Sequence, residues 1–233
     1  MKKINLLIVG SNFGISHYNA AKISNNFKLI SIASPNINQK EISKKIIVFS
    51  DYIDALKKYN FDMISIVTKP KIQQEIVSFL LKNNKIPKYL ILEKPILSKT
   101  INLLKKFHKN KLVLTNFIFT MDKTWKRFYE ISKFNESLKS INYEWLFEQS
   151  YFQNLKKTWK IVDKEGGGLV NYYLSHVIFN LLYFNKNLIF KKILQKKYFK
   201  NKLVYLKLFF LIKKKNFILK ISNNSKTNIH SFK

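Results

Sequence analysis

The sequence predicts a doubly wound α/β domain of the Rossmann type, followed by a smaller α+β domain with an open, mainly antiparallel sheet. Three observations carry that expectation. Short apolar runs alternate with amphipathic stretches through the first half of the chain. The opening run, INLLIV, feeds a glycine turn, VGSNFG, that leads into a helical pattern. Past Asp122 this rhythm gives way to strand signals and two helical stretches.

In chain order, apolar runs at 4–9, 28–33, 46–49, 63–68, 89–93 and 112–117 read as strands. Helical spacing at 15–24, 52–59, 72–83 and 99–108 falls between them. Strands that are apolar throughout belong to a parallel sheet covered on both faces. The second region offers helices at 124–133 and 169–183, and strands at 139–147, 188–198, 203–212 and 217–221. Apolar residues alternate in LVYLKLFFLI and NFILKIS, as in a sheet with one solvated face. The expected domains are 1–120 and 121–233.

Composition excludes several classes of function. With no cysteine, disulfides, thiolate metal sites and cysteine nucleophiles are ruled out. The four histidines are scattered and the carboxylates do not cluster at ligand spacing, so no metal site is expected. MKKINLLIVG starts basic and apolar, but the run is short and enters Gly10 without a small-residue cleavage site. YLKLFFLIKKKNFILKI is interrupted by lysines before it could span a bilayer. The expectation is a soluble, cytoplasmic protein.

The net charge of +30 raises the question of a nucleic-acid partner. Of the 43 basic residues only Arg127 is arginine, and the lysines are spread along the whole chain. The accompanying richness in Asn, Ile and Phe is what an AT-rich coding sequence produces. Readers of nucleic acid lean on arginine for bidentate contacts and stacking. The charge is therefore read as compositional, and a nucleic-acid partner is not expected.

The chemistry starts at the first turn. Gly10 can take the tight conformation after the first strand, and Gly14 suits a close approach of backbone where the helix begins. Asn12 stands where the middle glycine of G-x-G-x-x-G would, with compressed spacing. Asparagine tolerates positive φ better than most residues, so the turn can survive with its amides facing a pyrophosphate; taken alone, the motif equally fits an ordinary strand-to-helix turn. NAD enzymes commonly place an acidic residue after the second strand; here IASPNINQK offers Ser34, Asn36 and Lys40. A hydroxyl with a nearby lysine suits a 2'-phosphate, which favours NADP over NAD. Glu93, Lys94 and Pro95 follow the fifth strand, at the sheet edge where doubly wound folds bind ligands. A partly desolvated lysine there, beside a cationic nicotinamide ring, can trade protons with a hydroxyl. Farther on, Gly166, Gly167 and Gly168 would let backbone pass close to a ligand before a helix. On that helix Tyr172 and His176 are four apart and share a face.

Four stretches in this order, VGSNFGISH, FDMISIVTKPKIQQEI, LEKPI and WKIVDKEGGGLVNYYLSH, resemble the Gfo/Idh/MocA oxidoreductases over almost the whole chain. The resemblance implies NAD or NADP on the N-terminal domain and a sugar-like alcohol or ketone in a cleft against the C-terminal sheet. It assigns Gly10, Ser11, Asn12, Phe13 and Gly14 to the pyrophosphate, Ser34 to the adenosine ribose, and Thr68 and Lys69 to the border of the cofactor. Glu93 and Lys94 fall at the nicotinamide. Lys94 and His176 are the implied catalytic pair, with Tyr172 assisting. The family usually has Asp where this chain has Tyr172, and commonly His where it has Gln73. The short turn also resembles the thiazolinyl imide reductase branch, although EKP and GGG-x7-H fit the sugar-acting members better. Family members run longer, and ISNNSKTNIHSFK stops where further sheet strands would be expected, so the expectation is a shortened relative or a fragment of a gene, with a homodimer through that sheet. The competing expectation is a catalytically inactive nucleotide-binding or scaffold relative of the same fold.

Overall fold

A computed structural model describes residues 3–37, 42–43, 46–108, 110–117, 121–134, 137, 139–149, 158–212 and 214–233. They form two compact units, Met1–Asn116 and Phe117–Lys233. The first contains β1 (Ile4–Val9), α1 (Phe13–Lys22), β2 (Phe27–Ala33), β3 (Ile47–Phe49), α2 (Tyr52–Lys58), β4 (Met63–Ile66), α3 (Pro70–Lys82), β5 (Tyr89–Glu93), α4 (Ser98–Leu104) and β6 (Leu112–Asn116).

The six strands are all parallel and lie in the order β3-β2-β1-β4-β5-β6. The order reverses between β1 and β4, and ligands of doubly wound sheets bind at that reversal. INLLIV explains why β1 is central. Leu6 and Ile8 pack with Tyr18, Ala21 and Ile32 on one face, while Leu7 and Val9 pack with Ile64, Ile66, Val77 and Leu90 on the other. Successive side chains of a strand point to opposite faces, so a run buried on both is apolar at every position. Helix boundaries follow local chemistry. Asp51 caps α2 by accepting from the Ile53 amide at 3.0 Å. Proline at the first position of α3 starts that helix at Pro70, two residues ahead of the apolar spacing.

The second unit holds α5 (Lys123–Phe134), β7 (Ser140–Glu148), two short 3-10 turns (Trp159–Ile161 and Asp163–Glu165), a π-helical turn (Leu169–Leu174) that runs into α6 (Ser175–Phe184), and β8 (Leu188–Phe199), β9 (Lys202–Ile212), β10 (Lys215–Ser222) and β11 (Asn224–Phe232). Its sheet has the order β11-β7-β10-β9-β8. β7 and β10 are parallel and the other pairs antiparallel. Alternation in β9 buries Val204, Leu206, Leu208, Phe210 and Ile212. All but Val204 join Trp125, Phe128, Tyr143, Val177, Leu181, Phe217, Leu219 and Ile221 in one core. β8 is the opposite case: it is the sheet edge and is exposed from Ile189 to Phe199.

The sequence missed one strand: past Ile221 no strand was expected, yet Asn224–Phe232 forms β11, antiparallel to β7. Its sequence is mostly polar because most of the strand is solvated; Phe232 anchors it by stacking on Phe128 at 4.0 Å, and His230 Nε2 lies 2.7 Å from the Tyr143 hydroxyl. Burial raises the Tyr143 phenol far above its ordinary range, and burial likewise lowers His230. Both groups thus stay neutral at physiological pH.

On β7, Glu144 accepts from Lys220 at 2.5 Å and from Lys233 at 2.9 Å. Those hydrogen bonds hold its carboxyl below the ordinary value of 4.5. A depressed carboxyl adds stability above its unfolded value and loses it as pH falls through the folded one. Glu144→Gln is therefore expected to lower the thermal midpoint at pH 7, with the gap to wild type closing as pH drops below 4.5, followed by circular dichroism.

Among the described residues no helix is long and apolar enough to cross a membrane, and no cluster of three or more His, Asp or Glu could hold a metal ion.

Candidate active site

The glycine turn after β1 lies where the sheet order reverses. Val67 at the end of β4 donates its amide to the Val9 carbonyl at 2.8 Å, and the Gly10 amide donates to Ala33 at 2.9 Å. Strand ends on both sides of β1 are thereby drawn against the turn. Gly10 has φ +124°, and a Cβ there would collide with the Val67 carbonyl. Asn12 occupies the cap of α1 at φ 47° and ψ −101°, outside the left-handed region that asparagine tolerates, so the backbone is strained where the dinucleotide motif has a glycine. Helix starts leave amides without intrahelical acceptors. Two of them turn back on the loop, Gly14 to the Ser11 carbonyl at 2.7 Å and Ile15 to the Asn12 carbonyl at 2.9 Å. Gly14 is buried, and a Cβ built there would stand 3.5 Å from the Ile8 methyl, whereas Phe13 is 63 % exposed.

Other predicted contacts sit on neighbouring strand ends. Ser34, after β2, is buried; its Oγ accepts from the Asn36 amide at 3.4 Å. Lys40 lies outside the described residues. Thr68 donates its hydroxyl to the Lys69 carbonyl at 3.4 Å, and Lys69, exposed, caps α3. The fold thus gathers Gly10 to Gly14, Ser34, Thr68, Lys69, Glu93 and Lys94 at the carboxyl edge of one parallel sheet.

Glu93, the last residue of β5, is held on several sides. Its Oε1 lies 2.9 Å from His17 Nε2 on α1 and accepts from Asn116 Nδ2 on β6 at 2.7 Å. The other ring nitrogen of His17 lies 2.8 Å from Ser65 Oγ on β4. Gln73, 0 % exposed, donates Nε2 to the Glu93 carbonyl at 2.7 Å. Lys94 follows, half-buried. Sequence reasoning assigned no role to His17, Ser65 or Asn116. The signal for His17 was its place three residues after Gly14 on the sheet-facing stripe of α1; its partner is 76 residues away and carries no local mark.

The second unit gives the glycine triplet a different reason from the one expected. A Cβ at Gly167 would strike the Trp159 carbonyl, and one at Gly168, which has φ +77°, would strike the Asp163 carboxylate. The chain approached closely by these glycines is the protein's own pair of 3-10 turns. Lys202 ties the same turns to the sheet by donating to the Ile161 carbonyl at 2.8 Å. The π-helical turn also alters the expected pairing of Tyr172 with His176, because a four-residue repeat holds only in an α-helix. Tyr172 packs edge-on against Trp159 at 5.5 Å and Tyr173 at 4.9 Å, with Lys160 Nζ 5.7 Å over its ring. His176, 5 % exposed, stands edge-on to Phe117 at 5.9 Å, and Phe117 stacks on Phe179 at 3.8 Å.

A six-stranded parallel sheet with this strand order and a glycine turn at its reversal defines the class: a dinucleotide-binding Rossmann fold. Residues 4–117 match the Gfo/Idh/MocA model, described as an oxidoreductase family with an NAD-binding Rossmann fold, and this half of the chain belongs to that family. The solved structures similar to the chain share its fold over both units. Myo-inositol 2-dehydrogenase from Lactobacillus plantarum is 16% identical, with a TM-score of 0.75 over 99% of this chain and 73% of that one. Scyllo-inositol dehydrogenase from Lactobacillus casei, solved with bound NAD(H) and scyllo-inositol, is 19% identical, with a TM-score of 0.71 over 96% of this chain and 71% of that one. A myo-inositol dehydrogenase from Corynebacterium glutamicum is 14% identical, with a TM-score of 0.72 over 96% and 69%. No curated protein matches the chain by sequence.

Proposed function

We propose that the protein is an NAD(P)-dependent oxidoreductase that interconverts a sugar-like alcohol and its ketone. The observation that carries this reading is that the Gly10 turn, after β1, and the Glu93–Lys94 edge, after β5, lie at the same carboxyl edge of one parallel sheet with only β4 between them. The residues present fit a dinucleotide: Gly10, at a φ of +124° that side chains rarely adopt, lets the chain turn sharply against Val67, and α1 points its amino end at the turn. Ser11, Asn12 and Phe13 would hold the pyrophosphate, with Gly14 packing the helix close. Ser34 would lie near the adenosine ribose, and Thr68 and Lys69 would border the remainder. With no carboxylate among Ser34, Pro35 and Asn36, the end of β2 favours NADP.

A bound nicotinamide supplies the hydride acceptor or donor. The chain moves the proton. Lys94 Nζ takes the hydroxyl proton as a carbinol is oxidised and returns it as a ketone is reduced. His176 and Tyr172 assist by orienting the substrate hydroxyls. An inositol-like polyol is the substrate class this reading favours, since the Lactobacillus casei neighbour holds scyllo-inositol.

Titration of the protein with NADPH and NADH, followed by intrinsic fluorescence or calorimetry, tests the reading. Micromolar binding, tighter for NADPH, is expected. Gly10→Ala is expected to weaken it by about tenfold or more, the scale of one strained backbone position. No binding by folded wild type would refute the proposal. Binding without turnover of any polyol or sugar would instead favour a catalytically silent nucleotide-binding relative.

A further inference from the structure

We infer that His17 is a positioning residue that fixes Glu93 and, through it, aims Lys94; the inference rests on the reading of Lys94 as the proton-exchanging group. Four elements converge on the end of β5. His17 from α1 and Asn116 from β6 meet one carboxylate oxygen of Glu93, Gln73 from α3 holds its backbone carbonyl, and Ser65 from β4 holds the His17 ring. A carboxylate oxygen only accepts, so Nε2 of His17 carries the hydrogen between them. In the neutral ring Nδ1 then accepts from the Ser65 hydroxyl, and each group has one assignment.

This arrangement does more than pack a helix on a sheet. Gly14, His17, Tyr18 and Ala21 follow the i, i+3, i+4, i+7 stripe that faces the sheet, and an apolar residue at 17 would pack there without a polar group to satisfy. A satisfied polar network instead specifies one orientation. Glu93, engaged from two sides, is taken up by orientation and leaves the proton to the next residue. Since α1 also begins at the glycine turn, one rigid helix registers both the pyrophosphate site and Lys94.

The test uses the full chain with His17→Leu, His17→Gln and Ser65→Ala. Amine acylation at each lysine is followed by peptide mass spectrometry, alongside kcat, KM and NADPH affinity. His17→Leu is expected to change the labelling rate of Lys94 and lower kcat, each by about tenfold, as losses of orienting partners do. Labelling of Lys22 and Lys82, NADPH affinity and KM should stay near wild type. His17→Gln, which keeps a donor toward Glu93, should restore most of the loss. Ser65→Ala should move Lys94 in the same direction and carries the test if His17→Leu does not fold. Unchanged Lys94 labelling in a folded His17→Leu or Ser65→Ala protein would overturn the inference. If wild type turns over no polyol, the role of Lys94 in proton exchange falls, while the labelling still decides the role of His17.

Discussion

Lys94→Met is expected to abolish most turnover, lowering kcat by about 10²- to 10⁴-fold, while NADPH affinity stays within a few-fold of wild type. Methionine keeps the length and the apolar stem of lysine and removes the ammonium, so packing at the edge of β5 is preserved. Lys94 follows a strand end fixed from α1, α3 and β6, so the surrounding scaffold does not depend on its charge. The dinucleotide would be held mainly by the turn at Gly10 to Gly14, on a different strand. Loss of kcat with retained binding therefore assigns the amine to the chemical step. Wild-type turnover in Lys94→Met would remove Lys94 from the mechanism, and a parallel loss of binding would make it a cofactor contact.

The largest effect on stability is expected from Trp125→Ala. Trp125 is 0 % exposed and meets Tyr143 and Phe232, each with ring centroids at 5.0 Å, and Phe128 at 6.1 Å. Truncating a buried tryptophan costs about 3–5 kcal/mol through lost transfer energy and the cavity left behind. Native domains are stable by roughly 5–15 kcal/mol, so the loss is a large share of that margin. A fall in thermal midpoint of roughly 6–20 °C is expected by calorimetry. Trp125→Phe should cost much less. The indole nitrogen is buried without a hydrogen-bond partner, so the smaller ring gives up no hydrogen bond. Equal losses in the two variants would show that the contacts of the indole, not the volume it fills, hold the core.

Both effects concern elements whose existence the sequence announced. The central parallel strands β1 and β4 were legible because they are buried on two faces and read as nearly continuous apolar runs; β9 was legible because one face is solvated and its residues alternate. β11 was not, since SNNSKTNIHSF carries one strong apolar anchor, Phe232, whose worth depends on Phe128 being opposite. The candidate site divides the same way. Gly10 and the Glu93–Lys94 edge stand out as local patterns at strand ends. His17 binding Glu93 depends on a tertiary contact between distant segments, which no local pattern records. The glycine triplet was visible but its reason was not: what forbids a side chain at Gly167 and Gly168 is the pair of 3-10 turns folded back on them. Nor does spacing reveal the π-helical turn that separates Tyr172 from the regular repeat.

The exposed edge at β8 has a bearing on how the protein behaves in solution. Phe190, Ile193 and Tyr198 lie open there beside Lys191, Lys192, Lys196 and Lys197. A bare strand edge is a template on which another chain can add, and the ammonium groups oppose this by repelling an identical edge. Repulsion of that kind is conditional on the solvent. At an ionic strength of about 0.1 M it is screened beyond roughly 10 Å, and in molar salt beyond about 3 Å. Added salt thus disarms the lysines while leaving the phenyl, aliphatic and phenol groups as adhesive as before. The same strand that keeps molecules apart in dilute buffer sets a ceiling on colloidal solubility in brine.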